Sequence, residues 1–153
     1  MEIDRIDRAI LMQLQKNNQI RNLDLAEQVG LSAPACLKRV KRLRESGVIL
    51  QDISIINSQL AGNSMTLIVS VEMERDRADI YDNFKQKMYE ENAVMQCYQI
   101  SGQYDFMLVM SIQDIESYEQ FVERVFHTDL NIRKFHTAIA LRTVKQSTTI
   151  NLL

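Results

Sequence analysis

Hydrophobic positions along this chain recur with two periods. Up to about residue 50 they come three and four apart, as on helices; beyond residue 64, alternating stretches are interleaved with helical ones. In residues 1–18, Ile3, Ile6, Ile10, Leu11 and Leu14 form one stripe. Asp4, Asp7 and Arg8 lie off it, and the two acids suit a helix N-terminus, a stabilising rather than catalytic use. Asn22 to Gly47 predicts two further helices joined at Val29-Gly30-Leu31. The first has Asn22 as a possible N-cap and an apolar face of Leu23, Leu25, Ala26 and Val29. Gly30 permits the tight turn. Ser32 caps the next helix, Pro34 lies in its first turn and Gly47 stops it. Cys36, Leu37, Val40 and Leu43 recur at core spacing, leaving Ala33, Ala35, Lys38, Arg39 and Arg42 facing outwards.

Val48 to Ile56 mixes β-branched and polar residues and predicts a strand or wing. Turn-forming residues at Asn57-Ser58 and Gly62-Asn63-Ser64 follow. Met65 to Glu74 then alternates through Met65, Leu67, Val69, Val71 and Met73. Residues 79–91 are helical through Ile80, Phe84 and Met88. Strands are expected over Val94–Ile100 and Phe106–Ile112, a helix over Asp114–Phe126 buried through Ile115, Tyr118, Phe121, Val122 and Val125, and a last strand from about Ile132 to Thr143. The class is α+β: a three-helix helix-turn-helix domain (1–50), a linker strand or hinge (51–64) and a ferredoxin-like β-α-β-β-α-β domain (65–153). With helices on one side of the sheet, Ile68, Met95, Cys97, Met107 and Val109 are left on the other, an apolar patch that predicts self-association.

Charge sharpens this division. The net charge of −2 hides +3 on residues 1–50 and −5 on the remainder, which confines any nucleic-acid surface to the start of the chain. Cys36 and Cys97 have no partner at metal-ligand spacing and read as reduced core residues. With no secretory or membrane-spanning apolar run, the expected location is cytoplasmic.

The second helix of the pair carries five cations in seven residues (Lys38, Arg39, Lys41, Arg42, Arg44) behind the small residues Ser32, Ala33, Pro34 and Ala35. Small side chains let a helix approach the major groove of double-stranded DNA, while Lys and Arg reach guanine edges or phosphates. A basic helix face can equally be a solvated face. A second candidate is the loop Ser101-Gly102-Gln103-Tyr104-Asp105. Gly102 admits a ligand to the backbone, free N–H groups could take a carboxylate and Asp105 an ammonium, the two ends of an amino acid. An ordinary hairpin turn would use the same residue types. His127 and His136, the only histidines, have no nucleophile or acid converging on them in sequence, and no phosphate loop, dinucleotide fingerprint or metal cluster is present, so catalysis and a cofactor are not expected.

Taken together, Ile3-Asp4-Arg5-Ile6-Asp7 with Ile10-Leu11, Leu25-Ala26, Val29-Gly30-Leu31-Ser32, Cys36-Leu37-Lys38-Arg39-Val40 with Arg42-Leu43, Gly47-Val48-Ile49, Gly102 to Asp105 with Phe106, and Val144-Lys145-Gln146-Ser147 resemble the Lrp/AsnC family of leucine-responsive, "feast/famine" transcription factors across essentially the whole chain. The resemblance implies a winged helix-turn-helix joined to an effector domain that dimerises through its sheet, with dimers assembling further, often to octamers. It also implies a small effector, typically an amino acid, bound between dimers beside the Gly102–Asp105 loop, with Ala138, Ile139 and Ala140 matching positions that affect effector response. Against the resemblance, this chain has His127-Thr128-Asp129-Leu130-Asn131 where a Pro-Gly turn is common, and the usual basic extension before the first helix reads as nearly absent. The expectation is a sequence-specific, amino-acid-responsive DNA-binding regulator. An effector-independent architectural DNA-wrapping protein is the alternative within binding proteins, and a small amino-acid-metabolising enzyme the alternative outside them.

Overall fold

A computed structural model describes residues 2–152. Two compact units are present: one takes in residues up to Ile55 together with the stretch from Lys145 onward, the other Ile56–Val144.

In the first unit three helices, α1 (Arg5–Lys16), α2 (Asn22–Val29) and α3 (Ala33–Glu45), enclose a core of Ile10, Leu11, Leu25, Ala26, Cys36, Val40 and Leu43. The period-three-and-four stripes therefore meet as the sequence predicts, with corrections at their edges. Leu23, expected on the apolar face of α2, and Leu37 are not in the core but 67% and 58% exposed, and Ala33, expected outside, packs partly against it. The differences on α3 follow from the small radius of a three-helix core, which accepts only residues close to the line through Cys36, Val40 and Leu43. Arg21, not Asn22, occupies the N-cap of α2, and the Asn22 amide instead donates to the Ala33 carbonyl at 2.8 Å, linking the starts of α2 and α3. Gly30 closes α2 in the left-handed region at φ 71°, where a β-carbon would be strained. Ser32 holds the N-cap position of α3 without a side-chain cap bond, and Pro34 sits in the first turn.

No strand forms between α3 and the sheet. The N–H groups of Val48 and Ile49 both donate to the Leu43 carbonyl at 3.0 Å, and residues 50–55 find no neighbouring strand in this chain with which to build a ladder. Residues 145–152, expected with the second domain, belong to the first unit. There the Gln15 amide brackets Ile150, donating to its carbonyl and accepting from its N–H at 2.8 Å, and Leu152 packs on the helical core.

The second unit has strands β1 (Met65–Met73), β2 (Val94–Gln99), β3 (Phe106–Ile112) and β4 (Ile132–Ile139), with α4 (Ala78–Glu90) and α5 (Ile115–Phe121). The sheet order is β2-β3-β1-β4 with every pair antiparallel, the arrangement the β-α-β-β-α-β pattern predicts. Leu67, Val69, Val71, Met73, Phe106, Leu108 and Met110 meet Ile80, Phe84 and Met88 of α4 and Tyr118 and Phe121 of α5 in one core. A π-helical turn, Val122–Phe126, continues α5 and buries Val122, Val125 and Phe126, whereas Ile115 is 46% exposed.

The opposite sheet face is uncovered within this chain, as expected, but with a different roster. A register shift between Val94 and Gln96 leaves Met95 unpaired, so Gln96 and Tyr98 share the open face with Val109 and Met107. Cys97, opposite Leu108, turns to the helical side and lies exposed on this edge strand rather than in the core. The turn before β4 needs no proline or glycine because Asp129 builds it: one carboxylate oxygen accepts the Asn131 N–H at 3.0 Å and the other the Lys87 ammonium at 2.7 Å.

Candidate nucleic-acid interface and effector loop

The basic helix does not present its cations uniformly. Asp4 caps α1 and Asp7 is its third residue, and each side chain accepts the other's backbone N–H, a reciprocal capping box. The same two carboxylates receive α3. Arg39 Nη1 donates to Asp4 Oδ2 at 2.6 Å and to Asp7 Oδ1 at 2.9 Å, and Arg42 Nη2 to Asp7 Oδ2 at 2.5 Å. Asp7, placed off the apolar stripe by its sequence, is fully buried. A buried carboxylate is tolerated because its lone pairs are filled, here by two guanidinium groups and an amide. The Asp7 N–H and, after it, the Arg39 guanidinium hold the Asp4 carboxyl down at about 2.

Arg39, expected to face outwards, is thus turned towards α1 and its side chain is only 27% exposed. Arg42 keeps 47% of its side chain exposed while one nitrogen is held. Arg44 pairs with Asp52 at 3.1 Å, and Lys41 makes a loose pair with Glu45 at 3.6 Å between two exposed side chains. Among the described residues, Lys38 is the α3 cation without an ion pair. Ser32 and Pro34 are exposed and Ala35 half-buried, so the start of α3 is small and accessible on its outer side.

At the second candidate site, the Ser101–Asp105 loop joins β2 to β3. Ser101, Gly102 and Gln103 are exposed, and Gly102 sits at φ 133°, with nothing within 4 Å of where a β-carbon would be. Asp105 does not reach out for an ammonium. Its Oδ2 accepts the Met73 N–H at 2.7 Å and its Oδ1 the Tyr81 hydroxyl, while its own N–H donates to the Val71 carbonyl at 2.9 Å. That carboxylate, aided by burial, pushes the Tyr81 hydroxyl up to about 12. Asp105 anchors the loop.

Tyr104 turns the other way, its ring meeting that of His136 edge-on at 5.5 Å between centroids. His136 pairs with Ser70, which also pairs with Met107, and Ala138 pairs with Ile68, so these residues share the open face. Ile139 alternates to the helical side, and the Ala140 N–H extends the pairing to the Thr66 carbonyl at 2.9 Å. The loop and β4 are therefore brought together through Tyr104 and His136, with Ala138 two residues on. In the sequence His136 stands as an isolated histidine; its period-two spacing from Ala138 is the signal that places both on one sheet face. Among the described residues no cluster of three or more His, Cys, Asp or Glu could hold a metal ion, and no helix is long and apolar enough to cross a membrane.

Residues 3–49 match the winged helix-turn-helix DNA-binding family model and residues 66–150 the Lrp/AsnC ligand binding domain. An uncharacterized HTH-type transcriptional regulator of Sinorhizobium fredii is 43% identical over 145 residues, covering 95% of this chain and 86% of that one. The leucine-responsive regulatory protein of Escherichia coli is 30% identical over 146 residues, covering 95% and 89%. The fold is similar to that of an AsnC family transcriptional regulator from Agrobacterium tumefaciens (TM-score 0.90, 29% identity, 97% and 96% covered). A Neisseria meningitidis transcriptional regulator in complex with L-methionine shares the fold at TM-score 0.91 and 23% identity, with 98% and 97% covered.

Proposed function

The chain belongs to the Lrp/AsnC family of DNA-binding transcriptional regulators, which are not enzymes, and from that premise we propose a sequence-specific regulator whose assembly or DNA binding responds to an amino acid. In this reading it works in the cytoplasm. Ser32, Ala33, Pro34 and Ala35 approach the major groove and Lys38 and Arg42 supply cations, whereas Arg39, first expected among them, is turned to Asp4 and Asp7. Two copies cover each other's open sheet faces, and dimers assemble further, to a tetramer of dimers. The effector sits beside Ser101–Asp105 and Ala138–Ala140, its carboxylate on the exposed loop N–H groups. The Neisseria regulator holds L-methionine, which makes methionine the first ligand to try. The observation that carries the reading is the exposed basic face of α3, supported in the other unit by a glycine loop whose tyrosine rests on the uncovered sheet. For an effector to act as a switch it must bind two assembly states unequally.

Thermal shift across an amino-acid panel, with light scattering on the same samples, tests this. A ligand at about 100 times its dissociation constant stabilises the native state by ~2.7 kcal/mol. A shift that disappears in Tyr104→Ala, with a change in mass, supports an effector switch. An effector-independent architectural DNA-wrapping protein is the second reading, favoured by one observation: both Asp105 oxygens already hold donors from the protein. Silence across the panel at constant mass would select it.

A further inference from the structure

Resting on the docking just proposed, we infer that Arg39 is a positioning residue that sets α3 against α1 and does not touch DNA, and that Lys41 replaces it as a phosphate-binding cation beside Lys38 and Arg42.

On a helix whose core side runs through Cys36, Val40 and Leu43, the opposite side carries Pro34, Lys38 and Lys41, all exposed. Among the described residues Lys41 pairs with Glu45, one turn on, at 3.6 Å, with both side chains about two-thirds or more in solvent. An exposed i,i+4 pair of this kind is weak and screened by solvent, so a phosphate displaces it with little loss. Arg39 differs in each respect. Its guanidinium bridges two carboxylates 32 and 35 residues away in sequence, one of them fully buried. Its Nη1 carries both bonds and its side chain is only 27% exposed, so swinging outward to a phosphate would leave Asp7 buried with one charged donor fewer, and that desolvated charge opposes the move. Arg42 is intermediate: Asp7 fixes its Nη2 while half the side chain remains in solvent, so it is presented to a phosphate already oriented. Lys38, Lys41 and Arg42 line, with Ala35, Arg39 and Glu45, one shallow depression on the outer side of α3; Arg39 borders it with its Nη1 committed to Asp4 and Asp7.

The test is the salt dependence of binding to a duplex selected from a randomised pool, with each variant's folded fraction checked by circular dichroism. Each cation that displaces a counterion contributes about 0.9 to the slope of log K against log salt. Lys38→Ala, Lys41→Ala and Arg42→Ala should each flatten the slope by about one unit. Arg39→Met should weaken binding at every salt concentration with the slope unchanged, and Arg39→Lys, which can still reach one carboxylate, should restore part of the affinity. A slope flattened by Arg39→Met would make Arg39 a phosphate contact and overturn the inference. Full affinity of the folded Arg39→Met protein would make it merely structural, which also overturns it. Should Arg39→Met fail to fold, Lys41→Ala decides: an unchanged slope there sinks the assignment. If no α3 variant affects binding, the groove docking itself fails, a distinct outcome from the failure of Arg39 alone.

Discussion

One carboxylate in each unit holds the element on which the candidate function depends, and the two do it with opposite chemistry. Asp7 has no exposed surface and is filled by Arg39, Arg42 and the Asp4 N–H. Asp105 is half-buried and filled by neutral donors, the Met73 N–H and the Tyr81 hydroxyl. Helix α3 is thus fixed by charge against charge, and the Ser101–Asp105 loop by dipoles against a charge. The two arrangements should respond differently to truncation, pH and salt, because only the first leaves cations stranded when its carboxylate is removed.

The largest effect expected is that of Asp7→Ala. Two guanidinium groups lose their acceptor and α1 loses half its capping box, a destabilisation of the first unit of about 3 kcal/mol. Partial exposure of both arginines keeps the figure at the lower end, since water takes up some of their hydrogen bonding. Hydrogen exchange should show lost protection in α1 and α3 with the sheet amides unchanged. Unchanged protection in α3 would mean that the apolar core alone orients the helix, and the contrast with Asp105 would collapse.

Next is Asp105→Ala, which strands an amide and a phenol rather than two cations and should cost on the order of 2 kcal/mol, with Tyr81→Phe nearer 1 kcal/mol. The Tyr81 hydroxyl is raised from about 10 to about 12, so the folded state holds that proton more tightly than the unfolded chain. The contribution of this bond is therefore complete below pH 10 and is lost as pH climbs through 12. Alkaline titration of stability should show that loss in the wild type and a shallower one in Tyr81→Phe. Identical curves would place the raised phenol outside the loop's stability.

The same contrast explains what the sequence could disclose. Elements built on nearest-neighbour periodicity were legible: all three helices around Ile10, Leu25 and Leu43, and the alternation of β1, which fixes the helical side of the sheet. The Gly102 loop and the small-then-basic start of α3 were also visible, because turn and groove chemistry are local. Asp7 and Arg39 were not, since their partners lie more than thirty residues away and both residue types are ordinary on a solvated helix face. Asp105 looked like a ligand group for the same reason; only the return of β1 beside it supplies the Met73 N–H. The Met95 irregularity, which turns Cys97 to the other side, leaves no composition signal at all. Long-range polar satisfaction and register were the missing information, and in both units they decide which charged groups remain for a ligand.

The smallest effect should come from Asp4→Asn. Asparagine caps a helix about as well as aspartate, so the bond to the Asp7 N–H survives and only the charge opposite Arg39 is lost. Asp4 is half-exposed, and the change in melting temperature at neutral pH should be smaller than that of Tyr81→Phe. Its pH signature is sharper than its size. The carboxyl titrates at about 2 in the folded protein against 3.8 ordinarily, so its contribution is present above pH 3.8 and disappears as pH falls through 2. Wild type and Asp4→Asn should therefore differ at pH 5 and converge near pH 2. A gap that persists at pH 2 would trace the difference to cap geometry instead of charge, leaving Asp7 as the carboxylate that holds α3 to α1.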